Sequence, residues 1–151
     1  MGTPRAVLVR RTTELDELVA HHGTRGQAEF FLRTREQSIE PLVQRHQGTQ
    51  AARQTVLAAV PADWRRAEVE RAELARFVFE PDDVVIVVGQ DGLVANVAKY
   101  LGAQPVIGID PLPGANPGVL VPHPAAATGD LVRDVVAGRA AYLERTMVRA
   151  V

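Results

Sequence analysis

The chain has 151 residues, a formal net charge of −1, 46% hydrophobic residues and no cysteine. That length and apolar content fit one domain with a real core and exclude a disordered chain, while near-neutrality gives no bulk pull toward nucleic acid or a membrane surface. The missing cysteines exclude disulfides, thiolate metal sites and cysteine nucleophiles, and no run approaches the roughly 20 apolar residues of a membrane span or a signal-peptide core, so a soluble, cytoplasmic protein is expected.

In chain order, Ala6-Val7-Leu8-Val9 is a short apolar run before Arg10-Arg11 and predicts a first strand buried in a parallel sheet. Thr12 or Thr13 then caps a helix through about His22, with Asp16 placed for a capping box and Gly23 as its stop. Residues 26–80 show no strand pattern. Phe30-Phe31-Leu32 marks a short helix, and Ser38 opens a longer one that tolerates Pro41 in its first turn. The apolar stripe of that helix (Leu42, Val43, Val56, Leu57, Val60) is broken at Gly48, and Pro61 ends it. Asp63 is placed to cap a third helix carrying Val69, Leu74 and Phe77, with the intervening charges on a solvated face and Trp64 anchoring its start.

The pattern changes at Val84-Val85-Ile86-Val87-Val88, five consecutive β-branched residues that predict a buried central strand. Gly89-Gln90-Asp91-Gly92 forms a turn, and residues 93–101 continue as a helix ended by Gly102. Pro105 to Asp110 is the next strand, followed by a Pro/Gly loop at 111–118 and a short strand at Val119-Leu120-Val121. Thr128 or Asp130 starts a last helix that ends near Gly138. Strands alternating with helices give an α/β fold: a Rossmann-like parallel sheet with helices on both faces and a helical insertion at about 26–80.

The turn after Val88 sits where a parallel strand delivers its carboxyl end, the ligand edge of such sheets. Gly89 and Gly92 allow a ligand close to the backbone, and the helix start favours an anion. Asp91 opposes an anion unless it serves one. It could accept a proton from an attacking hydroxyl or hold a Mg²⁺ that bridges phosphates. Alternatively it caps the helix. Arg10 and Arg11, after the first strand, are candidate phosphate contacts facing the same edge. Among the histidines, His21-His22 suits a helix C-terminus, His46 reads as surface, and His123 follows a strand without a partner carboxylate. No spacing suggests a zinc site.

Residues 82–92, Asp-Asp-Val-Val-Ile-Val-Val-Gly-Gln-Asp-Gly, are similar to the segment leading into the Gly-Gly-Asp-Gly-Thr motif of NAD kinases. Pro105-Val106-Ile107-Gly108-Ile109-Asp110, followed by Gly114 and Gly118-Val119-Leu120, resembles that family's next strand and Gly-rich loop. The resemblance covers about residues 82–121 well, the first strand loosely and residues 26–80 hardly at all. It implies phosphoryl transfer from ATP with Mg²⁺, or from polyphosphate, to the 2′-hydroxyl of NAD. Asp91 would be the proton acceptor. Gly89, Gln90, Gly92, Leu93 and Asn96 would lie on the nucleotide or its phosphates. Apart from the resemblance, Asp110 and Asn116 flank the Pro/Gly loop, where they could touch the nucleotide's ribose or a metal, and Lys99, two turns along from Asp91, is a candidate phosphate contact in place of the family's basic residue.

The chain departs from the family pattern at five of these positions: Gln90 replaces a glycine, Leu93 a threonine, Asn96 an often basic residue, Asp110 an asparagine and Val119 a phenylalanine. Residues 1–142 correspond to the family's α/β phosphate-binding domain. Residues 143–151 resemble the strand entering its C-terminal β-rich domain, which the chain is expected to lack, so no appreciable NAD phosphorylation is expected from it alone. Similar Gly-Gly-Asp-Gly motifs occur in lipid kinases and phosphofructokinases, so a lipid or sugar acceptor is an alternative. A non-catalytic nucleotide-binding or interaction module is another, with the helical segment as a partner surface or a homodimer face.

Overall fold

The computed structural model describes residues 3–114 and 118–139. Its centre is a five-stranded, all-parallel sheet in the order β2-β1-β3-β4-β5, with β1 at Arg5–Arg10, β2 at Arg65–Glu70, β3 at Val84–Val88, β4 at Val106–Asp110 and β5 at His123–Pro124. The helices are α1 (Glu14–His22), α2 (Arg25–Thr34), α3 (Glu40–Ala59), α4 (Asp91–Ala98) and α5 (Thr128–Val136). The fold is α/β and Rossmann-like, as the alternation of strands and helices predicts.

Both faces of the sheet are covered, because neighbouring strand residues point to opposite sides. Ala6, Leu8, Val84, Ile86, Val88, Ile107 and Ile109 pack against Ala52 and Val56 of α3 and Val132 of α5. Val7, Val9, Val85 and Val87 face the other way, onto Leu93 and Val97 of α4 and Leu74. All five residues of β3 are buried, which is why its sequence does not alternate. A satellite cluster of Leu15, Leu32, Ile39 and Val43 joins α1, α2 and α3. Helix α3 therefore buries one face in its first half and another in its second. Gly48 stands between those halves, where a Cβ would run into the Leu112 side chain.

The Thr13 cap and the Gly23 stop hold for α1, with the Asp16 amide donating to Thr13 Oγ1 at 3.2 Å and Gly23 closing the helix at φ 90°, while the reciprocal bond of a capping box, from the Thr13 amide to the Asp16 carboxylate, is not formed among the described residues. The largest correction falls on residues 26–80. They are helical only to Ala59. Arg65–Glu70 forms β2, the edge strand paired in register with β1, and Arg71–Arg76 is a 3₁₀ turn rather than the continuation of a third helix. The charges of β2 sit on an exposed edge, with only Val69 fully buried, so a strand carries a composition that suits a solvated helix face. Trp64 is buried as expected, but it precedes a strand. Helix α4 begins at Asp91, two residues before the expected 93, and the short strand predicted at 119–121 is replaced by a two-residue pairing of His123-Pro124 with β4. The strand expected at 143–151 lies outside the described residues.

Candidate functional site

The chain runs outward from β1 to β2, then crosses to the other side of β1 to make β3. Adjacent connections thus diverge between β1 and β3, and the carboxyl ends of these two strands border a crevice, as at the ligand site of doubly wound sheets. A cleft of about 360 Å³ opens there. The turn after β1 contributes Arg11, Thr12, Thr13 and Glu14, and the end of β2 contributes Arg71. Gly89, Gln90, Gly92 and Leu93 come from the β3–α4 turn, and Asp110, Pro111 and Leu112 from the end of β4. Leu42, Arg45, His46 and Thr49 of α3 form the remaining wall.

Of the sequence-predicted site residues, Arg11, Gly89, Gln90, Gly92, Leu93 and Asp110 are brought together in this cleft. Gln90 is the N-cap residue of α4, its side chain makes no capping bond, and it is exposed. A Cβ at Gly92 would meet nothing within 4 Å, so the backbone there is open to a ligand. Leu93 belongs to the core rather than to a ligand: it is 5% exposed and packs under Gly89. Asp110 Oδ1 accepts the Leu112 amide at 2.9 Å and so shapes the β4 turn. Arg10 is withdrawn from the cleft by Glu68, which it meets at 2.9 Å. Asn96 and Lys99, further along α4, are not among the lining residues, and Lys99 is exposed. Asn116 lies outside the described residues.

Asp91 departs most from expectation. It sits between Gln90 and Gly92 but does not line the cleft. Its carboxylate is turned to the loop after β4, where Oδ2 accepts the Val119 amide at 3.0 Å and Oδ1 accepts the Leu120 amide at 2.9 Å. Gly118 makes this approach possible, since a Cβ there would collide with Oδ1. Asp91 is therefore a clasp between the first turn of α4 and a loop 28 and 29 residues away. It is partly exposed rather than sealed, and each oxygen uses one amide donor of the two it can take.

Sequence reasoning misses the contributions of α3 and β2. His46, read as surface, is half-buried: its Nδ1 lies 2.7 Å from Thr13 Oγ1 and 3.7 Å from Asp16 Oδ1. Arg45 pairs with Glu14 at 3.0 Å, while its Nε is buried without a partner among the described residues. Glu70, at the end of β2, receives the Thr12 amide at 3.1 Å, the Thr12 hydroxyl at 3.2 Å and the Ala72 amide at 2.7 Å. Burial pushes its carboxyl up, but these donors and the Arg10 charge outweigh burial and hold it below the usual carboxylate range. The one legible signal for this wall is the pair of basic residues directly after strand ends, and it was legible for β1 only.

No group of three or more metal-ligating side chains occurs among the described residues. Among the described residues, no helix is long and apolar enough to cross a membrane. The chain matches no family model, and no curated protein matches it significantly.

Proposed function

We propose that this chain is the nucleotide-binding α/β domain of an NAD kinase-like phosphotransferase, which takes NAD and ATP at the carboxyl edge of its sheet. The observation that carries the reading is the Asp91 clasp. The two segments that resemble NAD kinases, around Gly89–Gly92 and Gly118–Leu120, are distant in sequence, and the Asp91 carboxylate joins them beside the switch-point cleft. Gly92, open to solvent, and Gln90, whose side chain makes no capping bond, give the cleft wall backbone and carboxamide groups for a phosphate or ribose. In this reading Asp91 holds the loop on which the acceptor rests. Its carboxylate is turned to that loop rather than into the cleft, so its part here is to position the acceptor. The reaction itself, phosphoryl transfer from ATP or polyphosphate to the 2′-hydroxyl of NAD, is proposed for the protein in which this domain works.

A second reading is a nucleotide-binding module without turnover. It is favoured by the engagement of both Asp91 oxygens and by the use of Leu93 as core. Calorimetric titration with NAD, NADP and Mg-ATP, alongside an assay for NADP formation, separates the two. Binding with turnover supports the kinase reading, and binding without turnover supports the module. Failure to bind any of the three at millimolar concentration contradicts both.

A further inference from the structure

The sheet strands carry many arginines, and most are neutralised within the fold. Arg5 pairs with Asp83, Arg10 with Glu68 and Arg65 with Glu80, while Arg66 donates to the carbonyls of Leu57 and Val60. Arg11 and Arg71 differ. Each follows the last residue of its strand, and those last residues, Arg10 and Glu70, are register partners in adjacent parallel strands. Arg11 and Arg71 therefore leave the sheet side by side. Both are exposed, both line the switch-point cleft, and neither has a carboxylate partner among the described residues.

Glu70 fixes this arrangement. Its carboxylate takes the amide of Thr12, directly after Arg11, and the amide of Ala72, directly after Arg71. One side chain thus ties together the two backbone turns that carry the arginines, and three neutral donors stabilise its carboxylate, which stays ionised. Across the cleft, Arg45 is paired with Glu14 at 3.0 Å, and its Nε is buried without an acceptor among the described residues. Unpaired, forked donors on a pinned backbone are the arrangement that recognises oxyanions of the phosphate type. The wall's carboxylates Glu14, Glu17 and Asp110 equal its arginines Arg11, Arg45 and Arg71 in number, so the subsite rests on local placement rather than on net charge: Glu14 is paired with Arg45 and Asp110 is turned to the Leu112 amide.

We propose that Arg11 and Arg71, with Arg45 opposite, form an oxyanion subsite at the β1–β2 side of the cleft, and that it seats a phosphoryl group of an oligophosphate chain. Glu70 is its positioning residue. The inference rests on the proposed function for the use of the cleft, but it assigns a charge-recognising wall that the Gly89–Gly92 turn does not supply.

The test is calorimetric titration of the full chain with inorganic phosphate, tripolyphosphate and ATP, using wild type, Arg11→Ala, Arg71→Ala, the double variant and Glu70→Gln. Both arginines are exposed, so the variants are expected to fold, which far-UV circular dichroism checks. Loss of each arginine should weaken tripolyphosphate about tenfold or more, as for a charge-assisted hydrogen bond, and the wild-type affinity should fall as salt rises. Glu70→Gln should weaken it less, and lysine at positions 11 and 71 should restore part of the loss. Equal binding of tripolyphosphate and ATP identifies a free oligophosphate ligand, and preference for ATP identifies a nucleoside triphosphate; both support the subsite. Unchanged affinity in the double variant overturns it. If that occurs while NAD still binds, the subsite fails and the proposed function stands. If tripolyphosphate binds through the arginines but no nucleotide binds, the reverse holds.

Discussion

The two ends of the sheet use charge in opposite ways. At the amino edge, Asp83 is fully buried and takes two bonds from Arg5, at 2.9 and 2.6 Å, plus the Glu80 amide at 2.7 Å. Arg5 also stacks over Phe77, 5.1 Å from the ring centroid, and Glu80 reaches out to Arg65 at 2.8 Å. Every strong donor there has an acceptor within the fold. At the carboxyl edge, Arg11, Arg71 and the Nε of Arg45 lack one among the described residues. The first end is built to stay closed. The second is held open by backbone clasps, through Glu70, Asp110 and Asp91, that shape a wall without filling it.

The sharpest way to break this contrast is at the closed end. Asp83→Ala should strip the largely buried Arg5 of its partner and lower unfolding stability by about 3–5 kcal/mol, read by urea denaturation. Arg11→Ala at the open end should change stability by less than about 0.5 kcal/mol. Comparable losses at the two positions would erase the distinction.

Gly108→Ala probes the backing of the open end. A Cβ at Gly108 would run into the carbonyl of Leu120, so the loop held by Asp91 must shift, at a cost of about 1–3 kcal/mol or more. Asp91→Asn should be milder, about 1–2 kcal/mol. The carboxamide can accept one of the two amides but sets an N–H₂ against the other. Nucleotide affinity should fall in both variants, since both disturb the same loop. A loss confined to Asp91→Asn would point to the carboxylate itself.

The smallest expected effect is electrostatic. Arg53 holds the Glu68 carboxyl below the usual carboxylate range against the opposing pull of burial, with Arg10 assisting. A depressed folded-state value contributes stability that is present above the unfolded value and lost as pH falls through the folded one. Stability should therefore be flat near neutrality and decline once pH drops below the ordinary carboxylate range. Glu68→Gln should flatten that decline by at most about 1 kcal/mol, because the pair is partly exposed.

What the sequence discloses follows the same division. Val84–Val88 is legible because a strand buried on both faces must be continuously apolar, and the glycine turn after it is legible by position. Strand β2 is hidden, since an edge strand protected by Arg65, Arg66 and Glu68 presents the composition of a solvated helix. Its loss from the prediction also hides Arg71 as a strand-end residue. Arg45, His46 and Thr49 reach the cleft only because α3 packs over the sheet, which no local pattern reports. The partners of Asp91 are main-chain amides, and these leave no mark in a sequence.

The central claim is that nucleotide phosphates bind at the carboxyl edge, between the ends of β1 and β3. Amide-resolved NMR during titration with NAD and Mg-ATP tests it most directly. The amides of Arg11–Thr13, Gly89–Leu93 and Val119–Leu120 should move together and saturate, while those of Arg5 and Asp83 stay fixed. Shifts centred on Arg5 and Asp83, or no saturable shift at millimolar nucleotide, would contradict the account.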